Sequence, residues 1–304
     1  MSFRRFIVQD VGKLIPDKLW IEIKYLQWFH KLPNLKNPKT FNEKLNWLKL
    51  HDHNPEYTTM VDKYEAKKYI ADRIGEQYVI PVVGGPWQSF DEIDFDELPN
   101  QFVLKTTHDC GGVVICKDKN VFNRSKACAF LTDHLKTNYF LTGREWPYRS
   151  VKPRIFAEAY IHDICCDHMN NHINEQLTDY KFFCFDGETK VLYVATDRVN
   201  SSTETKFDFY DMEFNHLPIV QGHPNSDNLI GCPSGFSLMK ELAAILSHGL
   251  PQIRVDFYSV GANVYVGELT LSHFSGLVPF KPESWDYKLG EWITLPQRDD
   301  DDED

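Results

Sequence analysis

The chain has 304 residues, of which 42% are hydrophobic and 25% are charged, a composition typical of globular proteins with ample apolar core. No apolar run approaches the roughly 20 residues of a membrane-spanning helix, and no basic block indicates a nucleic-acid partner. The net charge of −11 includes six consecutive acids at 299–304, so the rest of the chain is only mildly acidic.

Seven cysteines, an odd number without paired spacing, are typical of a reduced, cytoplasmic protein. The stretch 161–172 combines histidines with adjacent cysteines, but it lacks the spaced Cys-x-x-Cys half-sites of a zinc centre, and we do not assign one. The acidic end of the chain, 297–304, is predicted to be a disordered tail.

The first sixty residues carry helical patterns. Residues 20–29 form an aromatic-rich amphipathic stretch, and Thr40 with Glu43 has the spacing of a capping box that starts a helix. A second helix is predicted from Asp62 to Gly75, with Glu65 in the same relation to Asp62.

From Tyr78 the pattern becomes extended. Strands are predicted at 78–83, 102–105, 113–116, 155–161, 179–185 and 190–196, with a turn at 84–86, a helix at 124–138 and a loop at 139–153. Residues 198–233 lack regular periodicity and are predicted to be a long loop over a site. A further helix is predicted from Phe236 to Ser247.

Two short strands at 253–258 and 264–270, joined near Gly261, organise the rest of the chain. Alternation places Arg254 and Asp256 on one face, and a turn near Gly261 makes Asp256 and Glu268 neighbours across the hairpin. Facing carboxylates repel unless positive charge lies between them. Mg²⁺, which binds one or two protein carboxylates, is one explanation, and a solvated hairpin face is the other.

Lys105 ends a predicted strand and precedes a loop that contains Thr106, His108, Gly111 and Gly112. Backbone N–H groups in such a loop can surround a phosphate, with the lysine supplying positive charge. The order of a P-loop is absent, so an ordinary turn remains the alternative.

Several motifs occur in a fixed order along the chain. They are NPKTFNEK at 37–44, VDKY at 61–64, FVLKTTHDCGG at 102–112, DYKFFCFDG at 179–187, RVDFY at 254–258 and GELT at 267–270. Together they resemble the TupA-like (teichuronopeptide-biosynthesis) ATP-grasp family over roughly residues 33–292. The last two motifs also resemble the end of the D-alanine–D-alanine ligase pattern.

This resemblance implies an α+β protein with the ATP-grasp fold, in which two lobes with antiparallel sheets clamp ATP. A helical N-terminal segment, 1–60, would precede lobe 1, with the phosphate loop, at 61–153. Lobe 2, at 154–296, would carry the metal and catalytic residues. The βαβ domain that begins many ATP-grasp enzymes is not predicted here.

The resemblance also implies roles for particular residues. Those that would bind ATP are Lys63, Lys105, Thr106, His108, Gly111, Gly112, Glu158, Tyr160 and Ile161, the last three forming the adenine hinge. Asp256, Glu268 and Thr270 would hold Mg²⁺, although many ATP-grasp enzymes have Asn where this chain has Thr270.

Lys181 and Arg254 would face the transferred phosphoryl group or the oxyanion that follows. Arg198 is a further candidate, for a substrate carboxylate. Because phosphoryl transfer depends chiefly on positioning and charge neutralisation, lysines, an arginine and a metal suit this chemistry.

The family resemblance thus implies a cytoplasmic ATP-dependent carboxylate–amine ligase that works through an acyl phosphate. Its partners would be a small-molecule or glycan carboxylate and an amine or amino acid, in the synthesis of a cell-surface polysaccharide such as a capsule. Two alternatives stay open at this point: a glycosyltransferase of polysaccharide biosynthesis, and a nucleotide-binding assembly protein without turnover.

Overall fold

A computed structural model of the protein describes residues 7–161, 165–166, 173–174, 177–196, 204–261 and 263–297. Helices and antiparallel sheets are mixed, as the sequence predicts. The helices are α1 (Asp17–Phe29), α2 (Phe41–His51), α3 (Glu56–Val61), α4 (Glu65–Ile74), α5 (Arg124–Leu135), α6 (Phe140–Gly143), α7 (Phe236–Ser247) and α8 (Ser284–Glu291).

The strands fall into two larger sheets and one short ribbon. They are β1 (Val82–Trp87), β2 (Phe102–Thr106), β3 (Val113–Cys116), β4 (Ile155–Ala159), β5 (Cys165–Cys166), β6 (Ile173–Asn174), β7 (Asp179–Phe185), β8 (Glu188–Thr196), β9 (Lys206–Tyr210), β10 (His216–Leu217), β11 (Ile253–Val260) and β12 (Asn263–Thr270). The strand β5 lies within the stretch 161–172 that is rich in His and Cys, and its partner β6 follows that stretch. The histidines of the stretch lie outside the described part of the chain.

The N-terminal helices begin largely where their capping residues predict. The capping box at α2 is confirmed, because Thr40 Oγ1 accepts a hydrogen bond from the Glu43 N–H and Glu43 accepts one from the Thr40 N–H. At α4 only half of the predicted box forms. Asp62 Oδ1 accepts from the Glu65 N–H at 3.2 Å, while the Glu65 side chain pairs with Arg154. The short helix α3 is not predicted from the sequence.

The four-stranded sheet has the order β1-β4-β2-β3 and packs against α5. Its core combines Phe102, Leu104 and Ile155 from the strands with Ala127 and Leu131 from the helix. The predicted turn at 84–86 is wrong, since β1 continues through it with shifts in register against β4. The strand β4 belongs to this sheet, and β7, the next strand of a larger sheet, begins at Asp179. The lobe bounds 61–153 and 154–296 stay a prediction.

The six-stranded sheet has the order β10-β9-β8-β7-β11-β12. One face packs on α7 and α4 through residues such as Phe182, Leu192 and Val255, and the opposite face packs on α2 and α8 through Phe183 and Phe209. The prediction of one long loop over 198–233 is wrong, because β9 and β10 extend the sheet there.

The two sheets meet at the edge strand β12. Val79, which precedes β1, forms an isolated parallel bridge with Val266 of β12, and α3 and α4 pack beside the same strand. No helix in the described ranges has the length and apolar character needed to cross a membrane.

Candidate active site

The strands β7, β11 and β12 bring five of the predicted residues to one place. In the antiparallel register Asp256 lies opposite both Lys181 and Glu268, and Arg254 lies opposite Thr270. The prediction that Asp256 and Glu268 are cross-strand neighbours is therefore confirmed. These side chains lie on the face of the sheet that also carries Phe183, so apolar packing ends where the charged groups begin.

Arg254 supplies positive charge between the two carboxylates. Its Nε donates to Asp256 Oδ1 at 2.6 Å and its Nη2 donates to Asp256 Oδ2 at 2.8 Å, a bidentate pair. The same Nη2 donates to Thr270 Oγ1 at 2.9 Å and lies 3.9 Å from Glu268 Oε2. A protein cation thus offsets the repulsion that would otherwise separate Asp256 and Glu268.

Lys181 forms a second buried contact with Asp256. Its Nζ donates to Asp256 Oδ2 and lies 2.7 Å from Asp179 Oδ2. Asp179 precedes Lys181 by two residues on the same strand. Burial would lower the pKa of Lys181, but Asp179 and Asp256 raise it above its ordinary value. The lysine is therefore held as a cation whose position is fixed from both sides.

His273, a buried histidine that was not predicted from the sequence, contacts the guanidinium of Arg254 and orients it. Arg254 Nη1 lies 2.7 Å from His273 Nδ1, and His273 Nε2 lies 2.9 Å from Gln221 Oε1. Burial lowers the pKa of His273 well below its ordinary value, and Arg254 and Lys181 lower it further. The imidazole is therefore neutral and can accept a hydrogen bond from the guanidinium.

Glu268 is the more accessible of the two carboxylates. Its side chain is 30% exposed, and its Oε1 lies 3.3 Å from Lys63 Nζ. Burial raises the pKa of Glu268, but Lys63 and Arg254 bring it down to about 2. Glu268 is therefore ionised at neutral pH and connects the six-stranded sheet to the segment before α4.

The loop after β2 is held by Asp109, which sequence reasoning did not select. The Asp109 carboxylate accepts a hydrogen bond from Thr106 Oγ1 and pairs with His134 Nδ1 of α5, while its backbone carbonyl accepts from Lys63 Nζ. A Cβ on Gly112 would lie 1.8 Å from Thr106 Oγ1, so the close approach there requires glycine.

Lys105 and Glu158 meet on the neighbouring strands β2 and β4. Glu158, 4% exposed, forms ion pairs with Lys105 and with Lys67 of α4, the latter at 2.9 Å. Lys67 also donates to the Ile80 carbonyl at 2.9 Å. One cavity between the two sheets is lined by Lys63, Lys105, Glu158 and Glu268. Residues that are far apart in the sequence therefore share a single cleft.

The sequence pattern of the TupA-like ATPgrasp family matches residues 43–294. The chain belongs to this ATP-grasp family. The prediction made from the ordered motifs is therefore confirmed, and the ATP-grasp fold accounts for two antiparallel sheets that face one cleft. A comparison with curated proteins gives no match.

Solved structures similar to this ATP-grasp chain include ligases of several kinds. D-alanine–D-alanine ligase from Bacillus anthracis is 16% identical, with a TM-score of 0.39 over 70% of this chain and 57% of its own. L-amino acid ligase from Bacillus licheniformis is 13% identical, with a TM-score of 0.43 over 72% of this chain and 46% of its own. The ATP-grasp ligase PsnB, solved with Mg and ADP, is 12% identical, with a TM-score of 0.37 over 76% of this chain and 58% of its own. The chain spans about half of the length of these structures.

Several predicted residues of the ATP-grasp site lie at its margin. His108, 3% exposed, directs Nε2 towards the Thr137 carbonyl at 3.1 Å, and Thr106 uses its hydroxyl within the loop. Tyr160 and Ile161 follow β4 and are half-buried. Arg198 lies outside the described residues. The roles given to these residues stay predictions.

The oxygen donors of this ATP-grasp site suit Mg²⁺ unequally. Both carboxylate oxygens of Asp256 are bound by Arg254 or Lys181, and the Thr270 hydroxyl is bound by Arg254. Glu268 has only the longer contacts at 3.3 and 3.9 Å. In the described ranges no cluster of three or more His, Cys, Asp or Glu side chains could enclose a metal. Glu268 is therefore the donor that fits a cation whose other ligands are water and phosphate, whereas Asp256 would have to release a contact with Arg254 or Lys181 to bind it.

Proposed function

We propose that this protein is an ATP-dependent carboxylate–amine ligase that binds ATP with Mg²⁺ in the cleft between its two sheets. The observation that supports it most is the convergence of four cations, Lys63, Lys105, Lys181 and Arg254, with the accessible carboxylate of Glu268. Such an arrangement suits the transfer of a phosphoryl group, where charge must be neutralised and reactants positioned.

Each residue can be given a task from its contacts. Lys63 and Lys105, which pair with Glu268 and Glu158 at the cleft, would exchange these partners for the phosphates of ATP. Lys181 and Arg254, held rigidly by Asp256, would face the transferred phosphoryl group. Glu268 and Asp256 would hold Mg²⁺, which when bound offsets the negative charge of the phosphates.

In the proposed reaction the substrate carboxylate attacks the γ-phosphorus of ATP, giving an acyl phosphate and ADP. An amine then forms the C–N bond while the C–O bond to phosphate breaks, so the products are an amide and inorganic phosphate. By analogy within the family, the acid or amine would belong to a cell-surface polysaccharide such as a capsule, or to its precursor, and the reaction would take place in the cytoplasm.

The test is ADP release from ATP and Mg²⁺ in the presence of single carboxylic acids, including uronic acids and amino acids, with hydroxylamine as the nucleophile. The proposal predicts acid-dependent ADP release with formation of an acyl hydroxamate. Hydrolysis that is independent of the acid, or no reaction with any acid while a nucleotide sugar is consumed, would contradict it.

A further inference from the structure

Two turns meet beside the active site and enclose a carboxylate that the proposed reaction has not used. The first turn is α6 with Arg144 and Glu145, and the second spans 272–276 after β12. They are in close contact, since a Cβ on Gly143 would lie 2.3 Å from Ser275 Oγ. Glu145, 5% exposed, accepts a hydrogen bond from Ser275 Oγ at this junction.

The backbone of both turns is strained. Phe274 and Ser275 have φ of 47° and 54°, and Arg144 has φ of 56°, all in the left-handed region that non-glycine residues rarely adopt. Such residues persist only where their surroundings impose the conformation. Strain concentrated at one junction indicates that the position of the side chains there matters.

The helix α2 imposes this geometry. Lys49 Nζ donates to the carbonyls of Gly143 at 2.7 Å and Ser275 at 2.8 Å, and Asn46 Nδ2 donates to the Gly276 carbonyl at 2.7 Å. Two of the three donors of Lys49 therefore bind backbone carbonyls and join the two turns. Glu145 is fixed between these turns, with its Oε1 bound to Ser275.

A short chain of contacts connects Glu145 to the active site. His273 contacts Arg254 at 2.7 Å, and two residues later Ser275 contacts Glu145. The Tyr148 N–H donates to the Glu145 backbone carbonyl at 3.1 Å, and the rings of Tyr139 and Tyr148 pack edge to face at 4.7 Å. Burial raises the pKa of both tyrosines, and the negative charges of Glu145 and Glu268 raise it further.

The charged groups that face Glu145 come from three elements. They are Lys49 of α2, Arg254 of β11 and Glu268 of β12. Burial, with Glu268, raises the pKa of Glu145 above its ordinary value, although the hydrogen bond from Ser275 and the charges of Lys49 and Arg254 lower it. Among the described residues, Ser275 is the only hydrogen-bond donor to this carboxylate, and it binds Oε1. A carboxylate with a free oxygen, on a turn that also carries two packed aromatic rings, attracts an ammonium group by charge-assisted hydrogen bonding and cation–π contact.

We propose that Glu145, with the rings of Tyr139 and Tyr148, binds the primary ammonium group of the acceptor amine. This inference rests on the proposed ligase function and names the class of its second substrate. Binding there would hold the nitrogen on the side of Arg254 where the acyl phosphate forms.

The test compares a charged acceptor with an uncharged nucleophile in the Glu145→Gln variant. Hydroxylamine traps the acyl phosphate without needing an ammonium site, whereas amino acids and diamines need one. We expect acyl hydroxamate formation within about twofold of wild type, and a KM for the amine raised about tenfold or more by loss of a charge-assisted hydrogen bond. Tyr148→Leu should raise the same KM, and Glu97→Gln, an exposed site, should change neither product.

The possible results separate this inference from the ligase proposal. An unchanged amine KM in Glu145→Gln would overturn the ammonium site, as would an equal loss of hydroxamate and amide, which would place Glu145 in the first step. If Glu145→Gln does not fold, an unchanged amine KM in Tyr148→Leu overturns the site. A wild-type chain that forms neither product would overturn the ligase proposal itself, and this inference with it.

Discussion

Glu268 differs from its neighbour Asp256 in how firmly it is held. Asp256 accepts bidentate hydrogen bonds from Arg254 and a further contact from Lys181, whereas Glu268 has a 30% exposed side chain and cations at 3.3 and 3.9 Å. Asp256 thus orients the cations of the site, and Glu268 remains available to a ligand.

The ionisation of Glu268 should therefore make a pH-dependent contribution to stability. Its pKa is near 4.5 in the unfolded chain and about 2 in the fold, so the stabilisation is present above pH 4.5 and is lost as the pH falls towards 2. Between pH 4.5 and 3 wild type should lose about 1–2 kcal/mol relative to Glu268→Gln. Urea unfolding of both chains across this interval measures it, and parallel curves would show that Lys63 and Arg254 do not perturb Glu268.

Lys105 provides a second test at this scale. Its side chain pairs with Glu158 at the cleft, so Lys105→Ala should weaken ATP binding, by about tenfold if one charge-assisted contact is lost. Isothermal titration with ATP and Mg²⁺ measures the change, with Lys68→Ala, whose lysine is exposed on α4, as the control. Equal affinities in wild type and Lys105→Ala would assign this lysine to the fold.

Sequence reasoning located residues at this scale where strand alternation or a family motif identified them. Arg254, Asp256 and Glu268 follow directly from period-two alternation and the hairpin register. His273, Glu145 and Lys49 were missed because their importance comes from turns and a helix that approach from distant parts of the chain. Contacts between residues that are so distant in sequence cannot be predicted from a local sequence pattern.

At the scale of elements, α2 connects several parts of the molecule. Its first turn packs against α8, where a Cβ on Gly290 would lie 2.2 Å from the Lys39 carbonyl oxygen. Because that atom belongs to the backbone and cannot rotate away, Gly290→Ala should destabilise the fold by about 1–3 kcal/mol. Denaturant unfolding checks this against Gly231→Ala, a glycine with nothing within 4 Å of its Cβ. Equal stability of the two variants would contradict the close packing of α8 on α2.

The strand β9 was not predicted from the sequence, for a physical reason. The strand β9 has Phe207, Asp208, Phe209 and Tyr210 all buried, so it shows no alternation between polar and apolar residues. Asp208 is acceptable inside because it accepts from the Ser226 N–H and lies 3.4 Å from His216. A strand covered on both faces and carrying a paired acid gives neither of the usual signals.

At the scale of the molecule, the fold is two antiparallel sheets that share one cleft, with Lys63 and Glu268 contacting each other across it. The overall fold could be predicted from the order of its motifs, since the motifs are distributed along nearly the whole chain. The pairing of β4 with β1 and β2 could not be predicted, because it joins strands that are distant in sequence.

The proposed binding of ATP with Mg²⁺ in this cleft can be measured by thermal unfolding with ATP, ADP or a panel of UDP-sugars, each with and without Mg²⁺. A ligand that binds only the folded chain stabilises it by about 2.7 kcal/mol at a hundredfold excess over its dissociation constant. We expect a Mg²⁺-dependent rise in melting temperature with ATP that is lost in Glu268→Gln. A rise with UDP-sugars alone would contradict it and favour a glycosyltransferase.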